Sequence, residues 1–371
     1  MALESQKTQF QCFNSNDTET NVRRPTMASR VYPSAGVYTQ ENDMSVRATA
    51  AATSIVGAVG EAPKGPVNQI VDIFDPTELE TIFGIPNAQK FGFSLYCANA
   101  ALAESQNLKF VRVVSEDALT AGAYLTIDDP QQTRTEVRLT VFDDGGNSPR
   151  GVYDPMENLG FTADGVGNER TLGFFCAANP GEWNNDLSVR VRPSNPAGVA
   201  IEDERNYNPY HFWVDVFVGF RNANSRPVES FLVSRSYELD GNSNQMFIED
   251  MINNYSQYIR FKNNPFCQPQ KIQREAFEFF AGGSVGSRPN ISQIANAWEL
   301  FADPEIVDVN LLMNGGYTNT TVQRRMLALA ERRGDCLAVL DLPDSDREAA
   351  RAVNYVMNDL NYSSSYGAMY T

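Results

Sequence analysis

From Ser292 to Leu360 the chain alternates helix and strand signals, which leaves few architectures open. Ser292 to Ala302 carries Ile294, Trp298 and Phe301 at helical spacing, Val307 to Met313 is a short apolar run, and Thr320 to Arg333 returns to the helical period. Cys336 to Leu340 is a second apolar run, and Asp344 to Leu360 reads as a further helix with Asp344 at its N-cap. Two strands separated by such a helix are expected to lie parallel, with a right-handed crossover. After the last helix, Gly367 to Thr371 reads as the start of another strand, so the chain is expected to be truncated or partly ordered.

A second well-punctuated stretch runs from Ala48 to Gly84. Ile55, Val56 and Val59, with the small residues Ala52, Gly57 and Ala58 among them, suit a strand covered on both faces. Gly60, Glu61, Ala62, Pro63, Lys64, Gly65 and Pro66 follow as a rigid turn, expected to be exposed and to be a candidate contact loop. Gln69 to Phe74 is a strand. The spacing then predicts a helix over Pro76 to Phe83, with Asp75 as N-cap, Glu78 completing a capping box and Gly84 as the stop. Gln89 to Glu104 places Phe93, Tyr96, Cys97, Ala100 and Ala101 at helical spacing, and Leu108 to Val114 reads as a buried strand.

The middle of the chain changes character. Residues 116–172 are acidic and Gly-rich, with short strands at Tyr124 to Ile127 and Glu136 to Phe142, and read as an inserted β-rich domain. Beyond it, Leu187 to Val191 is a strand, His211 to Phe220 and Val228 to Tyr237 an antiparallel pair, and Asn244 to Ile259 a helix presenting Phe247, Met251, Ile252, Tyr255 and Ile259. The expected fold class is α/β (α+β overall), a mixed-sheet core with parallel βαβα units and an inserted β-rich domain. The expected divisions are a polar extension (1–30), a linking arm (31–48), a first core part (49–115), the insertion (116–172) and a second core part (173–371). Within the arm, Gly36, Val37, Tyr38, Thr39, Gln40 and Glu41 form an isolated strand without a hairpin partner, suited to pairing with a neighbour's sheet edge.

Composition limits the chemistry. A net charge of −16 over 371 residues argues against nucleic acid as a partner, because phosphate attraction needs a basic face. No apolar run approaches the roughly 20 residues of a membrane span, and no signal-peptide pattern opens the chain, so a cytoplasmic origin without membrane insertion is expected. The five cysteines, Cys12, Cys97, Cys176, Cys267 and Cys336, lack metal or disulfide spacing. His211 is the sole histidine and reads as structural.

Three motifs bear on whether the chain carries a site. Gly282-Gly283-Ser284-Val285-Gly286 matches a nucleophile elbow, but the next helix begins too late and His211 precedes the serine, so a serine hydrolase is the weaker alternative. Asn314-Gly315-Gly316 stands where doubly wound sheets bind phosphate, without a Gly-rich fingerprint around it; a nucleotide-binding α/β enzyme is likewise the weaker reading. Asp303, Glu305, Asp308, Asp341, Asp344 and Asp346 read as caps and solvated surface in preference to Mg²⁺ ligands. No catalytic, cofactor-binding or metal residue is expected.

A further set of segments carries a family resemblance: Ser34-Ala35-Gly36-Val37-Tyr38, Gly60-Glu61-Ala62-Pro63-Lys64-Gly65-Pro66-Val67-Asn68, Phe83-Gly84 and Phe110-Val111-Arg112-Val113-Val114. It continues through Asn179-Pro180-Gly181-Glu182-Trp183-Asn184-Asn185-Asp186, Ala297-Trp298-Glu299-Leu300-Phe301-Ala302-Asp303, Val307-Asp308-Val309, Arg333-Gly334-Asp335-Cys336 and Ser363-Ser364-Ser365-Tyr366-Gly367-Ala368. In this order, from Val31 to the end, the chain resembles the contractile tail sheath proteins of myophages. The resemblance implies a non-enzymatic subunit without cofactors, stacked as hexameric rings around a tail tube. Its implied partners are itself, the tube protein, and the baseplate and terminator proteins of a virion assembled in host cytoplasm. The sheath of a phage-related contractile injection system is the close alternative. The first 30 residues have no counterpart in the family pattern, and the family's C-terminal portion, which holds the tube-gripping helix, is expected to be missing here.

Overall fold

The computed structural model describes residues 54–105, 107–127, 137–141, 155–158, 160–161, 170–194, 210–219, 225–239, 245–269, 272 and 274–370. In chain order these give β1 (Val56–Gly60), β2 (Ile70–Ile73), α1 (Pro76–Phe83), α2 (Ala88–Phe91), α3 (Ser94–Ser105), β3 (Leu108–Arg112), β4 (Gly122–Ile127) and β5 (Val137–Val141). Then come α4 (Pro155–Asn158), β6 (Thr171–Ala177), β7 (Leu187–Pro193), β8 (His211–Val218), β9 (Glu229–Ser234), α5 (Ile248–Tyr255), β10 (Ile259–Asn263) and β11 (Ala276–Phe279). The last part holds α6 (Ile291–Ala297), β12 (Leu311–Met313), α7 (Thr320–Arg333), β13 (Leu337–Asp341), α8 (Ala349–Asn354) and β14 (Gly367–Tyr370). Residues Ala50–Thr371 cluster as one unit; the isolated strand expected at Gly36 to Glu41 lies outside the described residues.

The fold is mixed α/β. A six-stranded sheet has the order β14-β13-β12-β1-β3-β2, parallel throughout except for β2, which runs antiparallel to β3. β1 lies inside it and all five of its residues are buried, as strands with cover on both faces require. Its alternation divides two cores. Val59 joins Trp298, Phe301, Met326 and Leu329 of the α6–α7 layer, while Val56 and Ala58 join Leu79, Phe83, Leu95 and Leu102 of the α1–α3 layer.

Two four-stranded antiparallel sheets, β10-β6-β4-β5 and β11-β7-β8-β9, share one core in which Leu125, Phe175 and Phe261 meet Val189, Val214 and Val216. The strands expected within 116–172 hydrogen-bond onward to β6 and, through it, to β10, so the antiparallel region continues well beyond Leu172.

Local chemistry explains most boundaries. Asp75 accepts the Thr77 N–H at 2.6 Å, Glu78 reaches back to the Phe74 N–H at 2.9 Å, and Gly84 ends α1 at φ 89°. Four expectations need correction. The helix expected over Gln89 to Glu104 is broken at Gly92 (φ 69°), and its buried face is Ser94, Leu95, Ala98 and Leu102; Phe93 and Tyr96 are exposed. The reason is contact with β1: a Cβ on Gly60 would fall 2.1 Å from that of Ser94, so the helix turns Ser94 toward that strand. Ile259 is not helical but opens β10, because Ser256 ends α5 and its hydroxyl accepts the Tyr258 and Ile259 N–H groups. Asp344 is not a helix cap. It opens a 3₁₀ turn and pairs with Arg347, and the segment continues as α8 and a π-helical turn, Tyr355–Leu360. Finally, the turn expected to be exposed is buried at Gly60, Glu61 and Ala62 and half-buried from Pro63 to Pro66.

Candidate functional site

The reason that turn is buried is Arg112. A lone charge in the apolar run Phe110-Val111-Arg112-Val113-Val114 closes β3 with no measurable exposure, a placement that demands a full set of acceptors. Its Nε donates to the Ala62 carbonyl (2.8 Å), Nη1 to Gly65 (2.7 Å) and Pro180 (3.1 Å), and Nη2 to Pro180 (3.1 Å) and Pro63 (3.4 Å). One side chain therefore joins the Gly60–Pro66 turn to the Asn179–Asp186 turn. Gly181 seals the joint with φ 146°: a Cβ there would stand 3.2 Å from the Pro63 carbonyl and 2.8 Å from the Trp183 ring. Asn185 then exchanges two hydrogen bonds with Gly283, tying in the segment after β11.

Glu61 lies beside this joint, 5% exposed. Its carboxylate accepts from the Tyr317 hydroxyl (3.1 Å) and pairs with the Arg288 guanidinium (3.3 Å), while its carbonyl accepts from Ser94 (3.0 Å). Burial, reinforced by the Glu61 charge, pushes the Tyr317 phenol well above its usual range. Lys64 is lowered by burial. Asn314-Gly315-Gly316 forms a tight turn after β12, with both glycines at positive φ, and delivers Tyr317 to Glu61; the Asn314 carboxamide is buried beside it.

A second arginine repeats the device elsewhere in the unit. The side chain of Arg333, at the end of α7, has no exposure. It donates to the carbonyls of Phe301 (2.5 Å) and Val307 (2.8 Å) and forms a two-pronged pair with Asp335. The segments 297–303, 307–309 and 333–336 are thus brought to one point, as the segments around Gly60, Arg112 and Pro180 are brought to another. Burial pushes the neighbouring Cys336 thiol up to about 11.

The remaining sequence motifs have other employment. Ser284 accepts the Gly286 N–H at 3.1 Å and pairs its backbone with Leu119, while the Nε2 of His211 on β8 bonds Glu238 at 2.7 Å. Among the described residues, no group of three or more His, Cys, Asp or Glu side chains is placed to hold a metal ion. Asp303 accepts the Glu305 N–H, closing a turn. Among the described residues no helix is long and apolar enough to cross a membrane. The sequence named the segments but missed the two arginines as their common partner; for Arg112 the available signal was a charge embedded in a buried run, whereas Arg333 stands among exposed residues and carries no such mark.

No family model matches the chain, and no curated protein matches it. Solved structures to which it is similar include a sheath tail protein from Listeria innocua, at 12% identity and a TM-score of 0.44, covering 78% of this chain and 48% of that one. Another, from Desulfitobacterium hafniense, has 16% identity and a TM-score of 0.39, with 84% and 55% covered. Both are sheath tail proteins. The chain spans about half the length of each.

Proposed function

We propose that this chain is a structural, non-enzymatic subunit of a contractile tail sheath. Copies stack as hexameric rings around a tail tube and rearrange from an extended to a contracted array, driving the tube through a host envelope. The observation that carries the reading is the ordered series of sheath-like segments from Val31 onward, six of which meet in threes at Arg112 and Arg333. A contracting lattice needs bodies that keep their shape while contacts between them are exchanged. Buried arginines clamping loops from distant parts of the chain meet that need.

In this reading the strand Gly36 to Glu41 pairs with a neighbouring copy, and the half-buried side of the Pro63–Pro66 turn is a contact surface between copies. The partners are further copies of the chain, the tube protein, and the baseplate and terminator proteins of a virion. Negative-stain microscopy of the purified chain tests the proposal: rings or sleeves of uniform width are expected. Monodisperse particles at every protein concentration would sink it.

A further inference from the structure

Asp341 and Tyr370 close β13 and β14 as register partners. Their neighbours Leu340 and Met369 join the α6–α7 core, so strand alternation turns Asp341 and Tyr370 to the α3 side of the sheet. There they meet Phe93, Tyr96 and Cys97, the helical face that the sequence marks as apolar and that the contact of Ser94 with β1 leaves outside the core. Between them lies a cavity of about 530 Å³, within the roughly 300–1,000 Å³ common for small-ligand sites. It stands outside the carboxyl ends of parallel strands, where open α/β sheets bind ligands. Gly316, in the turn after β12, forms part of its wall: a Cβ there would stand 3.3 Å from that of Phe93.

The polar lining is short of positive charge. Asp341 is half-buried, and among the described residues nothing donates a hydrogen bond to its carboxylate. Arg347, the one basic lining residue, is held by Asp344 at 2.6 Å. Burial raises the Asp341 carboxyl above its ordinary pKa, and the Arg347 charge offsets only part of that rise. The Cys97 thiol is raised by burial and, after it, by the Asp341 charge, so that charge reaches across the cavity to α3. The rings of Phe93 and Tyr96, with centres 6.5 Å apart and planes inclined at 52°, form two walls, and an aromatic face attracts a cation within about 6 Å of its centre. We propose that this cavity binds a small organic ammonium ion, its cationic head between the Asp341 carboxylate and the rings of Phe93 and Tyr96. A phosphate is disfavoured, because the lining holds two carboxylates against one guanidinium. The inference is independent of the sheath reading, since it uses neither arginine joint nor any contact between copies.

The test uses the full chain and two probes, choline and n-butylammonium, each beside its neutral counterpart, 3,3-dimethyl-1-butanol and n-butanol. Saturation-transfer difference NMR titrations should show saturable binding of at least one cation, about tenfold or more tighter than its neutral counterpart. Asp341→Asn keeps the shape of the side chain and removes its charge, and should erase that preference while leaving the neutral probes unchanged. Phe93→Ala removes an exposed ring outside the core, keeps the test valid should the first variant misfold, and should weaken cation binding severalfold. Absence of saturable binding of both cations overturns the proposal, as does equal affinity for the neutral probes or binding that neither substitution changes. Self-association abolished by Asp341→Asn, without binding of either free cation, also overturns it and assigns the cavity to a basic side chain of a second copy.

Discussion

Arg112 concentrates more of the fold on one side chain than any other described residue of the joint. Four carbonyl oxygens, those of Ala62, Pro63, Gly65 and Pro180, depend on its guanidinium. Arg112→Met keeps much of the volume but leaves these acceptors without their donor, and a buried acceptor left unmade costs about 1–3 kcal/mol. Some carbonyls will recover water, so the expected loss is about 3–5 kcal/mol in denaturant unfolding. A loss below about 1 kcal/mol would show that the joint is not held by this residue. Asp215 makes a complementary case on the antiparallel sheet. Burial alone would raise its pKa, but hydrogen bonds from Arg192, Ser230 and Arg190 outweigh it and hold the carboxyl below its ordinary value. A depressed folded pKa contributes stability that is present above the unfolded value of about 4 and is lost as pH falls through the folded one. Asp215→Asn should therefore be less stable at neutral pH and show a shallower acid limb below about pH 4. Parallel stability profiles for the two proteins would refute this.

At the scale of elements, legibility followed the kind of force that sets each boundary. Where capping chemistry is local, the sequence sufficed: Asp75, Pro76 and Gly84 delimit α1 as expected, and α7 keeps its expected range Thr320–Arg333, which the structure shows to be capped by Asn319 and Gly334. Where packing against a distant strand decides, it did not. The periodicity of Phe93, Tyr96 and Cys97 pointed to one helical face, yet the close approach of Ser94 to Gly60 selects another, and nothing near Phe93 encodes that contact. The same limit applies to the candidate site. The turn around Pro63 carries every mark of a surface loop, because proline and glycine report conformation and not burial. Its burial comes from an arginine 47 residues from Gly65 and a proline 68 residues beyond that arginine, separations a local pattern cannot carry. Parallel pairing of β12 with β13 was legible, since a helix between two strands permits little else.

For the whole molecule, the two arginine joints belong to the same unit, Ala50–Thr371, whose three sheets take in all fourteen strands found among the described residues. This arrangement separates folding from assembly in the proposed function. If residues upstream of the unit supply only the strand that links one copy to the next, removing them should abolish polymerisation and leave the unit intact. Deleting Met1 to Asn42 is therefore expected to give a cooperatively unfolding protein, with a melting temperature within a few degrees of the full chain's, that forms neither rings nor sleeves. The two readouts separate the explanations. A deletion variant that melts early or without cooperativity would mean that those residues stabilise the unit, and the linking role would lose its support. A variant that melts normally and still assembles would remove the arm from the mechanism and leave the contacts between copies to the body itself, with the Pro63–Pro66 turn as the first surface to mutate.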